Sequence, residues 1–281
     1  MYISTDLTDA DATARMIATA SDWNQKQAPD IVWCCAGSSK PGFFVEASTA
    51  DLKSQMDQNY FSAAYTCHAI LQPWLAPSPA PLSAEQLKAP PRHLILTSSV
   101  VAFYTIAGYA AYAPAKTALR GLSDTLRQEV ELYNGARLHQ TSSASGSSYG
   151  PTHAVQISTV FPGTILSPGL EQENETKPEI THELEKDDGA QTEEEVAEKS
   201  IRGLQRGEYL VVTKLIAQAM RAPALGGGPR NYWPWDLFLS WVTAVIWLFV
   251  GPDLDRKVRK WGREKGHPDG YETGGVLKKK A

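Results

Sequence analysis

Ser99, Tyr112 and Lys116 are side chains that can move a proton and steady an oxygen, and they stand close together in Leu96-Thr-Ser-Ser99 and Ala111-Tyr112-Ala-Pro114-Ala-Lys116. Tyr112 and Lys116 are four apart, so with Pro114 in the first turn of a helix both project from one face. A free tyrosine has a pKa of about 10 and exchanges protons poorly near neutrality. A lysine ammonium at ~4 Å in a partly buried site favours the phenolate by roughly 4 kcal/mol, or about 3 pKa units, before desolvation opposes it. The expectation is therefore a tyrosine tuned downward by Lys116 into a usable acid and base. Ser99 follows the apolar run His93-Leu-Ile-Leu-Thr97, which reads as a strand, and so falls at a strand's carboxyl end, where open α/β sheets build their sites. There its hydroxyl can hold a carbonyl oxygen whose charge grows on reduction.

The elements that must position these groups follow from pattern and punctuation. Thr8 or Asp9 caps a helix through about Ser21, and Asp30-Ile-Val-Trp-Cys34-Cys35-Ala36-Gly37 reads as an apolar strand ending in small residues. Helical periodicity runs from Asp51 to Leu75 and stops at a proline-rich loop that ends at Pro90-Pro91. After the Ser99 strand comes a helix from about Tyr112 to Tyr133. The low-complexity stretch 141–150 reads as a disordered surface insert. Val155–Val160 reads as a strand, Glu193–Gln205 as a helix and Tyr209–Thr213 as a final strand. The pattern is that of an α/β chain with a doubly wound parallel sheet.

Four ordered matches give the motif a family. Ala36-Gly37 resembles the Asn-Asn-Ala-Gly strand end of short-chain dehydrogenases/reductases, with Cys34 in place of the first asparagine. Asn59 matches the helix asparagine that anchors a relay water in that family. Pro162-Gly163 is similar to its turn under the nicotinamide, and Ser99, Tyr112 and Lys116 match its catalytic set. An Asp-Leu closes the third strand and faces the adenine in these proteins, which makes Asp6 an adenine contact by resemblance. A narrower resemblance, on Ser167-Pro168-Gly169-Leu170 through Asn174-Glu-Thr176-Lys177-Pro178, is to 3-ketodihydrosphingosine reductases. It implies NADPH-dependent reduction of a long-chain sphingoid ketone at the cytosolic face of the endoplasmic reticulum. Other short-chain reductases acting on steroids, retinoids or acyl chains remain alternatives, as does a noncatalytic remnant. That segment can also be a mobile lid or a solvated loop. Its Asn174-Glu-Thr176 sequon carries little weight for a cytosolic domain.

At 281 residues, 42% of them hydrophobic, the chain can build one large domain and an appendage. A net charge of −4 argues against nucleic acid as a partner, three cysteines form no disulfide framework, and six scattered histidines offer no metal-ligand spacing. The amino terminus has no apolar run of the signal-peptide kind. The layout expected is a catalytic unit over 1–213, a linker over 214–232, a hydrophobic membrane segment over 233–250 and a basic cytosolic tail over 251–281. The apolar core Leu237–Val250 is shorter than the ~20 residues that cross a bilayer. A re-entrant or interfacial segment, a full crossing and a buried core helix are all open, with membrane lipids as partners in the first two. Lys278 and Lys279 stand where a dilysine signal for return to the endoplasmic reticulum does, or in a basic solubilising tail. A homo-oligomer is left open.

No Gly-x-x-x-Gly-x-Gly turn precedes Asp6, although the family places one after its first strand to receive the cofactor pyrophosphate. The expectation is an amino-terminally truncated sheet with a gap between an Asp6 strand and the Cys34 strand. Such a chain alone is expected to show no saturable NADPH binding and to aggregate, and to recover on both counts when the upstream half is added.

Overall fold

The computed structural model describes residues 1–138 and 149–265, together with the backbone of 271–272 and 276–277. In chain order the elements are α1 (Ala10–Trp23), β1 (Ile31–Cys34), α2 (Thr49–Met56), a π-helical turn (Asp57–Phe61), α3 (Ser62–Leu75), α4 (Ala84–Lys88) and β2 (Arg92–Thr97). They continue as α5 (Ala113–Ala136), β3 (Val155–Phe161), β4 (Ile165–Leu166), α6 (Pro168–Thr176), α7 (Glu179–Glu185), β5 (Gln191–Thr192) and α8 (Glu193–Gln205). Then come β6 (Leu210–Val212), α9 (Leu215–Ala224) and α10 (Trp233–Lys265), followed by the short antiparallel pair β7 (Tyr271–Glu272) and β8 (Val276–Leu277).

β1, β2, β3 and β6 form a parallel sheet in that order, with Ile31 opposite His93, Leu94 opposite Ile157, and Thr159 opposite Leu210. Both central strands are covered on both faces, which gives β2 its apolar run Leu94-Ile-Leu96, while β3 also buries Ser158 and Thr159. On one face Leu94, Leu96 and Ile157 join a core with Ile70 and Trp74 of α3 and Leu119 of α5; on the other, Ile95, Val160 and Val211 meet Leu204 of α8. Each fully buried Leu or Ile of this set contributes about 2 kcal/mol. The sheet is thus doubly wound, and its strand ends hold the site.

Several boundaries differ from expectation. Met1–Asp6 pairs with no strand among the described residues; its backbone runs extended into a turn in which Asp6 accepts from Thr8, and Asp9 then caps α1. The proline-rich loop contains α4, whose Ser83 and Gln86 close a reciprocal cap. Most of the low-complexity stretch, residues 141–148, lies outside the described residues, as does the dilysine. The stretch 214–232, expected as a linker, holds α9, because Ala217 and Ala222 are small enough to pack closely and Arg221 finds a buried partner in Asp236. The helix does not stop where the apolar segment ends at Val250. α10 runs on through Pro252 to Lys265, with Asp253–Lys257 and Lys260–Glu264 pairs one turn apart along its charged part.

Candidate active site

The groups singled out at the sequence level meet where the strands end. β2 runs into Ser98 and Ser99, and two bonds fix this corner. The Ser98 hydroxyl donates to the Lys116 carbonyl at 2.9 Å, and the Val100 N–H donates to the Pro162 carbonyl at 3.1 Å. Tyr112 is the N-cap residue of α5 and Pro114 lies in the first turn, where its missing N–H costs nothing. One turn on, Lys116 is buried, and its Nζ donates to the Thr97 carbonyl at 3.1 Å. Gly37, Ser99, Tyr112, Lys116, Pro162 and Gly163 all line one cleft of about 440 Å³.

Asn59 stands behind that wall. It occupies the π-helical turn, where one extra residue widens the helical path between α2 and α3. Its Nδ2 donates to the carbonyls of Ser38 at 2.8 Å and Gln55 at 3.0 Å, while its Oδ1, fully buried, has no partner. A Cβ on Gly37 would stand 2.6 Å from that oxygen and 3.2 Å from Lys116 Nζ, so glycine is required there by close approach. Of the remaining expected residues, Ala36 precedes Gly37 and is exposed without lining the cleft. Asp6 is also outside the lining, and its carboxylate, held below the usual range by the Thr8 hydroxyl and N–H, is spent on a local turn.

The electrostatics correct one expectation. Lys116 does not lower the Tyr112 pKa: its ammonium is turned to the Thr97 carbonyl and lies 5.6 Å from the Tyr112 ring centroid. Burial dominates and pushes the Tyr112 phenol up, the Ser99 hydroxyl acts in the opposite direction, and the Glu173 charge adds to the rise. Lys116 is itself pushed down to about 8 by burial.

A second wall of the cleft, unforeseen in the sequence, is built by α6 and α7. The Tyr109 hydroxyl stands 2.6 Å from a carboxylate oxygen of both Glu173 and Glu185, its single proton serving one at a time. Lys177 Nζ lies 2.8 Å from a carboxylate oxygen of each. Burial alone would lower the Lys177 pKa, but its bonds to Glu173 and Glu185 outweigh that and hold it above the ordinary value. The Tyr109 phenol is raised by burial and then by Glu173. Thr181 Oγ1 donates to the Ala107 carbonyl at 2.9 Å and ties α7 to the loop before α5. Glu173 and Lys177, four apart, were open to sequence reasoning as a helix pair; Tyr109 and Glu185 were not, since only the fold brings them together.

Comparison with known proteins extends the picture beyond the cleft. The short chain dehydrogenase family model matches residues 1–178. A 3-ketodihydrosphingosine reductase of Aspergillus fumigatus is 49% identical over 267 residues, which cover 95% of this chain and 71% of that protein. One of Neurospora crassa is 41% identical over 268 residues, 95% of this chain and 68% of that protein. Among solved structures, a short chain dehydrogenase/reductase from Burkholderia phymatum in complex with NAD shares the fold at a TM-score of 0.57 and 16% identity, over 79% of this chain and 74% of that one. The chain belongs to the short-chain dehydrogenase/reductase family of nicotinamide-dependent oxidoreductases and is homologous to the 3-ketodihydrosphingosine reductases.

Proposed function

We propose that this chain reduces the ketone of 3-ketodihydrosphingosine to dihydrosphingosine, with NADPH as reductant, at the cytosolic face of the endoplasmic reticulum. The observation that carries the reading is the extent of the match: identity at 49% over 267 residues is far too broad to be confined to a catalytic motif. The membrane setting is supported by the apolar stretch of α10, with a mean hydropathy of 1.7 over eighteen residues and little of it buried.

The cleft's own residues fit the nicotinamide-ribose end of the cofactor. Gly37 leaves backbone open where a Cβ would collide, and Lys116 has ammonium protons beyond the one given to Thr97. Asn59 presents a buried oxygen that lacks a partner. No glycine-rich turn for a pyrophosphate lines the cleft among the described residues. A bound reduced nicotinamide supplies the hydride. Tyr112 then gives its phenolic proton to the carbonyl oxygen as charge develops there, and its raised pKa keeps that proton in place until it is needed. Ser99 donates to the same oxygen and holds it in line. Lys116 binds ribose hydroxyls, and Asn59 Oδ1 takes a water on the path that returns a proton to Tyr112. Pro162-Gly163 and Gly37 shape the floor against which the cofactor lies.

The test is product formation from 3-ketodihydrosphingosine, with steroid, retinal and acyl ketones as competitors and NADPH compared with NADH. It uses the chain as it stands and the same chain carrying an upstream strand with a glycine-rich turn. Dihydrosphingosine formed with NADPH by the chain carrying the upstream strand, and lost there in Tyr112→Phe, is the expected result. Preferred turnover of another ketone class, or formation undiminished in Tyr112→Phe, would overturn the reading.

A further inference from the structure

α10 has the length and composition to cross a bilayer, but the way it is held argues against a crossing. The side chains shielded along it, Asp236, Leu239, Ser240, Thr243, Trp247, Val250, Leu254 and Trp261, recur at steps of three, four or seven residues on one side of the helix. That is one seam of a helix packed against a neighbour, running about 38 Å at 1.5 Å per residue. Contacts pin it at both ends and the middle. Asp236 pairs with Arg221 at 2.8 Å, and both are buried; Ser240 donates to the Ala222 carbonyl at 2.7 Å. Trp247 stacks on Tyr104 with ring centroids 4.6 Å apart, and Lys265 pairs with Glu179 at 2.9 Å. A crossing helix is surrounded by hydrocarbon over ~30 Å, and this one would carry the charged catalytic domain into it or tear away from Arg221.

The opposite side of the helix is apolar and uncovered: Trp235, Phe238, Trp241, Val245, Leu248 and Phe249 are each more than half exposed. The next turns carry Arg256, Lys257, Arg259, Lys260, Arg263 and Lys265 against Asp253, Asp255 and Glu264, and stay net positive with Lys257 paired to Asp253 and Lys260 to Glu264. Aromatic and aliphatic bulk beside a cationic stretch is complementary to an anionic lipid surface. Tyr104, which stacks on Trp247, also lines the cleft, as does Met220 of α9, the helix packed on α10.

We infer that α10 lies flat in an anionic lipid surface with its uncovered side down, and that it holds the Tyr104 side of the cleft against that surface so that an apolar chain enters without crossing water. The entry route rests on the lipid-ketone reading above; the orientation of the helix does not.

The test uses the full chain in sealed microsomes with cysteines introduced one at a time as Tyr232→Cys and Arg263→Cys, read with an impermeant maleimide above the wild-type background. Both sites should label from the same side without permeabilisation. Labelling from opposite sides would overturn the inference. In parallel, the double variant Leu248→Glu, Phe249→Glu should keep the wild-type melting temperature while losing about tenfold or more in affinity for phosphatidylserine-containing vesicles. Unchanged vesicle binding, or conversion of a dimer to a monomer in place of that loss, would also overturn it. The same variant should lose turnover of vesicle-borne long-chain ketone while retaining that of a short soluble analogue. Same-side labelling with neither ketone reduced would sink the substrate reading and leave the helix orientation supported.

Discussion

The cleft has a buried lysine in each of two walls, and the two are handled in opposite ways. Lys177 sits between Glu173 and Glu185 at 2.8 Å from each and is held above its ordinary pKa. Among the described residues, Lys116 hydrogen-bonds only the Thr97 carbonyl, faces the Tyr112 ring at 5.6 Å, and is pushed down to about 8 by burial. The α6–α7 wall therefore holds its lysine between two carboxylates and is a latch. The strand-end wall leaves a charge uncompensated, which costs stability and is tolerated where the group is wanted for something else.

The comparison can be broken most directly at the residue beside the uncompensated lysine. Tyr112→Phe should lower turnover by about 10³-fold with the fold intact, read as product formation alongside circular dichroism. Lys177→Met should destabilise by about 3 to 4 kcal/mol in urea unfolding, because it strands two carboxylates next to the Tyr109 hydroxyl. Lys116→Met should do the reverse. The fall from the ordinary 10.5 to about 8 corresponds to about 3 kcal/mol, so this variant should gain up to that amount at neutral pH while losing activity.

The pH dependence sharpens the contrast. In the wild type the unfolded chain holds the Lys116 proton between pH 8 and 10.5 while the folded chain has released it, so stability rises with pH across that window. The advantage of Lys116→Met should therefore shrink as pH rises and be gone above about 10.5. Lys177, with its folded pKa raised, keeps its contribution below its ordinary value and loses it only at higher pH, so the deficit of Lys177→Met should stay level over the same window. Smallest of all, Thr181→Val removes one bond between the latch and the Ala107 carbonyl and should cost about 1 kcal/mol by thermal melting.

The strand-end wall was legible in sequence because its parts are short range. A strand buried on both faces announces itself by an unbroken apolar run, and the Tyr112–Lys116 pair needs only helical spacing with Pro114 at the start. The expected downward tuning of Tyr112 by Lys116 is outweighed by burial, since spacing gives proximity but neither the degree of burial nor the direction of an ammonium that bonds the Thr97 carbonyl. The π-helical turn at Asn59 leaves no mark in composition, because hydrophobic periodicity continues on either side of it. Tyr109 and Glu185 are 76 positions apart, and nothing local in either stretch points to the other. Asp6 is ambiguous for a similar reason: an Asp-Leu fits a strand end and a helix-capping turn equally well, and here the Thr8 bonds form the turn.

Five of the eight tryptophans lie on α10, and this sets what light can report about the molecule. Trp74, fully buried and donating to the Pro29 carbonyl, is the emitter of the catalytic core, while Trp235 and Trp241 are mostly in contact with solvent. A melt followed by total emission will therefore weigh the helix over the core. Release of α10 from its seam will register as a transition even where the sheet is intact, so emission and far-ultraviolet dichroism should give separate midpoints whenever the helix lets go first.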